Sequence, residues 1–200
     1  MSMNRRMFLK TSAAVIPSTV ALQMLGGGTW VLAQTADFED DVAVLNYALT
    51  LEFLESEFYK QGNAANLLKG EEAEFLKQIG ADEDAHVKAL TQTINKLGGT
   101  PVAAPSVDFG EAFASRASYL KTSHTLENLG VSAYLGAAGF IEDKEILQAA
   151  AGIFGVEARH AAVVGNLLEL SAEDGVYMGA TETPKPKAEV LAAAAPFITS

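Results

Sequence analysis

Six residues of two chemical types recur along this chain in one order. Glu52 is followed 31 residues later by Glu83-x-x-His86, and Glu127 is followed 30 residues later by Glu157-x-x-His160. The lone glutamates stand 75 positions apart and both members of the Glu-x-x-His pairs 74 apart. Tyr59 and Tyr134, each seven residues after a lone glutamate, keep the offset of 75. On a helix, residues i and i+3 share a face, so each Glu-x-x-His aims a carboxylate and an imidazole at one point. Four carboxylates and two imidazoles suit divalent first-row metals, and their four negative charges balance two such ions. A single Glu-x-x-His is short and common, and by itself marks a solvated flank or an ion-paired core position. Two copies in register, each preceded by a glutamate, point instead to a site for two metal ions, iron and manganese being equally suited.

The elements that must position these groups are helical. Leu45, Ala48, Leu49, Glu52, Ser56 and Tyr59 fall on one stripe, as do Leu76, Ile79, Glu83, His86, Leu90 and Ile94. A third stripe runs Leu120, His124, Glu127, Val131, Tyr134, and a fourth Ile153, Glu157, His160, Val164, Leu167. Each candidate ligand thus has apolar neighbours one turn away, the pattern of a core face. The first helix is expected over Asp37–Gly62 with Asp37 as N-cap, and the second ends at Gly98-Gly99. The third and fourth are expected over Glu111–Gly139 and Ile141–Leu170. The stretch GGTPVAAPSVDFG, residues 98–110, cannot continue a helix, and its length suits a crossover between two helical hairpins. The fold class is therefore all-α, with the bundle over residues 37–170. Residues 171–187 read as extended, and a short apolar helix over Ala188–Phe197 either lies on the bundle or mediates contact between copies.

The ligand order resembles that of ferritin-like four-helix-bundle proteins, rubrerythrins and bacterioferritins among them. LNYALTLEFLESEFY, residues 45–59, and the Pro196-Phe197-Ile198 segment are similar to bacterial ferritin-like proteins related to plant desiccation-related proteins. The resemblance covers roughly residues 38–170. It implies that Glu52, Glu83, His86, Glu127, Glu157 and His160 are ligands, with Glu83 and Glu157 bridging and Glu52 and Glu127 terminal. Rubrerythrins carry a further glutamate where this chain has Gly130, and a cysteine-rich module that this cysteine-free chain lacks.

Four other residues are secondary candidates. Glu55, three after Glu52, is either a seventh carboxylate ligand or a residue at the bundle edge that is solvated or bonded to a ligand. His124, one turn before Glu127, either covers the metal cavity, hydrogen-bonds a ligand, or is a packed or partly exposed residue without a ligand role. Tyr59 and Tyr134 either hydrogen-bond the carboxylates, or pass electrons, or are simply core. Glu57 is expected at the surface.

The N-terminus carries a separate message. Asn4-Arg5-Arg6-Met7-Phe8-Leu9-Lys10 matches a twin-arginine export signal, followed by an apolar stretch from Thr11 to Leu25, with Ala33 the expected last residue removed. An uncleaved anchor is the alternative. Export by that route moves folded proteins, so a metal site could be filled before leaving the cytoplasm. Residues 1–33 hold Arg5, Arg6 and Lys10 and no acid, so their removal takes the net charge from −11 to −14. An acidic chain argues against nucleic acid as a partner. The absence of cysteine excludes disulfides, iron–sulfur clusters and thiol catalysis. No phosphate loop or hydrolase nucleophile motif occurs. The expected function is an exported di-metal protein reacting with dioxygen or peroxide in oxidative or desiccation stress, using an outside electron donor or disproportionating peroxide. Alternatives are iron storage with ferroxidase activity, or a structural protectant whose metal only locks the bundle. No catalytic side chain is assigned, and a homo-oligomer is compatible with the apolar tail.

Overall fold

The computed structural model describes residues 21–25, 29–33, 37–173 and 175–199. Two units divide the chain, Met1–Ala36 and Asp37–Ser200. In the first, strands β1 (Ala21–Leu25) and β2 (Thr29–Ala33) pair antiparallel, Gln23 opposite Val31. Arg5 and Arg6 of the export motif lie outside the described residues. No helix among the described residues is long and apolar enough to cross a membrane.

The second unit is an all-α bundle. Helices α1 (Asp41–Ala64) and α2 (Glu71–Lys96) form one antiparallel hairpin, and α3 (Arg116–Ala137) and α4 (Lys144–Leu167) the other. A short α5 (Lys187–Ala194) follows. The helix starts differ from the sequence expectation, and each difference has a local cause. Asp40, not Asp37, caps α1, accepting from the Ala43 N–H at 2.7 Å. Three acids compete for that role, and burial of Phe38 against Tyr47 holds the chain out of the helix until after it. The third helix begins late because Ser115 and Ser118 form a capping box, leaving Gly110–Phe113 as a separate 3-10 turn. Asp143 caps α4 by accepting from the N–H groups of Glu145 and Ile146. Asp41 crosses from α1 to accept from Glu142 and Asp143, tying the α3–α4 turn to the first hairpin.

The crossover between hairpins is fastened at Asn46, whose side chain donates to the Thr100 carbonyl and accepts from the Val102 N–H. One end of the bundle is filled by aromatic rings: Phe58 packs on Tyr59, Phe109, Phe113 and Tyr119. The C-terminal segment completes the core, with Val190 and Ala194 fully buried. It runs back along the crossover, where Asp108 donates to the Phe197 carbonyl and Thr199 to that of Ser106.

That segment approaches α3 closely. Lys185 donates its N–H to the Ser132 carbonyl at 3.1 Å, and a Cβ on Gly136 would stand 2.0 Å from the Lys185 carbonyl oxygen. Gly136→Ala is expected to push the tail off α3 at a cost of about 1–3 kcal/mol. Thermal unfolding should then fall by roughly 2–10 °C, and limited proteolysis should cut first near residue 185.

Candidate metal centre

The four long helices converge on a cluster of buried acids. Glu52, Glu83, Glu127 and Glu157 have no exposed surface and Glu55 only 3%. The other buried polar residues among those described are His86, His160 and Ser123, with no lysine or arginine. Removing a charged group from water costs several kcal/mol even after relaxation. Five such costs exceed the entire stability of a domain this size, about 5–15 kcal/mol. The carboxylates must be protonated or neutralised by cations.

The structure brings all six predicted ligands into two overlapping groups. Glu52, Glu83, His86 and Glu157 form one and Glu83, Glu127, Glu157 and His160 the other, with ligand atoms within 4.8 Å of one another in each. Glu83 and Glu157 are the two shared members. His86 Nδ1 lies 3.0 Å from Glu83, 3.2 Å from Glu52 and 3.2 Å from Glu157. His160 Nδ1 lies 2.9 Å from Glu83 and 3.3 Å from Glu127. One ring nitrogen can serve a single hydrogen bond, so three oxygens around His86 Nδ1 exceed what it can satisfy. Ligands bonded at about 2.1 Å to a common atom sit about 3 Å apart, which is the separation here. Oxygens of Glu52, Glu83, Glu127 and both oxygens of Glu157 lack a hydrogen-bond partner, as does His160 Nδ1. Converging hard oxygens, most of them unpartnered, with two imidazole nitrogens among them fit divalent metal.

The chain belongs to the ferritin-like domain family, whose pattern it matches over residues 40–170. No curated relative matches it.

The surroundings of the ligands follow the duplication in part. Tyr134 of α3 donates to Glu52 of α1 at 2.5 Å. Tyr59 of α1 donates in turn to Glu127 of α3 and pairs with Ser123 Oγ at 2.6 Å. The tyrosine of each repeat therefore holds the lone glutamate of the other. Burial, then the adjacent carboxylates, keep both phenols well above their usual range, so they remain donors.

Other features are one-sided. His160 Nε2 donates to Asp82 at 3.2 Å, which orients the ring and strengthens Nδ1 as a ligand. Sequence reading missed Asp82, whose counterpart 74 positions on is Val156. Glu55 is buried beside the centre but belongs to neither group. The position 75 after it is Gly130, and a Cβ there would stand 2.7 Å from Glu157 Oε2 and 3.4 Å from Glu55 Oε1. Gly130 thus leaves the room in which Glu55 of α1 approaches Glu157. His124 is placed elsewhere: its Nε2 donates to the Gly175 carbonyl at 3.0 Å, tethering the tail instead of bonding a ligand.

Charge is shared unevenly within the cluster. Burial, then Glu157 and the other carboxylates, hold the Glu55 carboxyl well above its usual range, as burial and Glu83 do for Glu157. Burial raises Glu83 to about 7. For His86 burial opposes the charge, but Glu157, Glu52 and Glu83 override it and push the ring up to about 12. His160 rises to about 11, Glu127 and Glu83 overriding its burial.

Two outcomes are expected. Asp82→Asn should lower metal affinity at the His160 group by roughly 10–100-fold and leave the His86 group filled, read by metal titration. In metal-free protein, Glu83 ionises near 7 folded against an ordinary 4.5, so its stabilisation is complete below 4.5 and lost as pH rises through 7. The raised histidines act in the same sense above 6.5. Thermal unfolding should therefore fall between pH 5 and pH 8 without metal, and saturating manganese should reverse that trend.

Proposed function

We propose that this protein binds a di-metal centre of iron or manganese and reacts with dioxygen or peroxide. The observation that carries the reading is the pair of overlapping ligand groups sharing Glu83 and Glu157, buried without a lysine or arginine among the described residues. Glu52 and His86 would hold one ion, Glu127 and His160 the other, and Glu83 and Glu157 both. Two redox-active ions so held supply two electrons together, enough to take dioxygen and two protons to hydrogen peroxide, or hydrogen peroxide and two protons to two waters.

The chain's own residues set the conditions for that chemistry. Tyr134 and Tyr59 fix the oxygens of Glu52 and Glu127 that do not face the other ligands. Leu49, Leu76, Leu120 and Val164, all fully buried and one or two turns from the cluster, exclude bulk water. Burial and the neighbouring Glu157 raise the Glu55 carboxyl, which favours its protonated form beside the centre. With no cysteine-rich electron-transfer module in this chain, repeated turnover would draw on an outside donor or disproportionate peroxide. We further propose export through the twin-arginine route on the strength of Arg5-Arg6, with metal loaded beforehand, and a role in stress protection.

The double variant Glu83→Ala, Glu157→Ala removes the members common to both groups. Wild-type protein from its native host should carry about two ions per chain, as two ligand sets of this kind imply. The double variant should carry almost none and stay helical. Mass-spectrometric metal analysis beside circular dichroism measures both. Retention of two tightly held ions by the variant would show the site to be wrongly assigned, and many ions per chain in the wild type would indicate storage.

A further inference from the structure

At the end of the bundle where α1 and α4 begin lies a cavity of about 60 Å³. Leu45, Ala48, Leu90, Ala133, Ala150 and Ile153 form much of its wall, and only Tyr47, Thr93 and Tyr134 bring hydroxyl groups to it. The cavity lies on the Glu52–His86 side of the cluster. Ala48, Leu90 and Ile153 stand one turn from Glu52, His86 and Glu157 on their helices, and Tyr134, which forms part of the wall, is the donor to Glu52. Glu52 and His86 belong to the His86 group alone, and Glu157 to both groups. Ala89 and Ala149 on the rim are solvent-exposed.

The duplicated half shows how the space arises. At offsets of 75 and 74, Ala133 corresponds to Phe58, Ala150 to Leu76 and Ala149 to Phe75. Phe58 and Leu76 are fully buried and fill the opposite end, while alanines leave this end open. Leaving space inside a core forfeits packing energy. An aliphatic cavity offers water few partners and takes small nonpolar molecules instead.

We infer that this cavity receives dioxygen and holds it beside the Glu52–His86 side of the centre. The inference rests on the di-metal reading above and narrows its oxidant. Dioxygen enters an aliphatic space without losing hydrogen bonds, whereas hydrogen peroxide forfeits those it makes with water. In protein loaded with ferrous iron, dioxygen accepts one electron from each of two ions and two protons from solvent. It leaves as hydrogen peroxide, with both ions ferric.

Xenon, a nonpolar atom, is the probe of the space itself. Crystals of the full chain under xenon pressure should show it bound among Ala48, Ala133 and Ala150. Ala150→Leu, which installs the residue of the filled end, should abolish that binding. Ala149→Phe alters only the exposed rim, where its counterpart Phe75 is tolerated, and guards against a core variant that fails to fold. In both variants the ratio of the dioxygen to the peroxide rate in stopped-flow oxidation of ferrous-loaded protein should fall about tenfold, with metal content unchanged. Absence of xenon from the wild-type cavity, or an unchanged ratio in both variants, would overturn the assignment. Fast oxidation by dioxygen without xenon binding overturns the cavity alone. Xenon binding without any oxidation by dioxygen overturns the di-metal reaction and the dioxygen assignment with it.

Discussion

Five carboxylates sit in a core with two histidines, one serine and no permanent positive side chain among the described residues. Apolar packing cannot hold that arrangement as five anions, because the cost exceeds what a domain gains by folding. Protons on Glu55, Glu83 and Glu157 and on the two imidazoles supply part of the neutralisation, and divalent ions can supply the rest. The helices, caps and aromatic end serve to keep water from relieving the cost in any other way.

The duplication repeats the ligands more faithfully than their surroundings. The crossed bonds from Tyr59 to Glu127 and Tyr134 to Glu52 preserve the relation between repeats. Asp82 against Val156, Glu55 against Gly130 and Ala133 against Phe58 break it. Asp82 supports His160, while the aliphatic cavity borders the His86 group. If each group holds an ion, the two positions have different electronic support and different access. Their electron richness and their reach to small molecules can be adjusted separately.

The all-α bundle and the residues that converge at its centre were legible because both depend on local spacing. A face of a helix is written in i, i+3 and i+4, and the order of the two copies repeats it. What spacing cannot express is which of several similar residues tertiary packing selects. Asp37, Asp40 and Asp41 are equivalent as caps in one dimension, and the burial of Phe38 chooses among them. Asp82 looks like one acid in the run Asp82-Glu83-Asp84, since its partner His160 lies on another helix. His124 shares a stripe with Glu127, but the returning tail offers it the Gly175 carbonyl. Gly130 reads as a missing ligand until Glu55 is seen to need the space. The cavity was present in the sequence as three alanines facing larger counterparts, a comparison that requires knowing which ends of the repeats face each other.

Neither ligand group can be assembled from one hairpin. Glu52, Glu83 and His86 need Glu157 from the second, and Glu127, Glu157 and His160 need Glu83 from the first. The only covalent link between the hairpins is the crossover that joins α2 to α3. A protease cutting that crossover would leave two fragments joined by packing and by any metal held between them. For such a nicked molecule, separation of the halves and escape of any bound metal would be a single event, so metal content would report whether it is still whole.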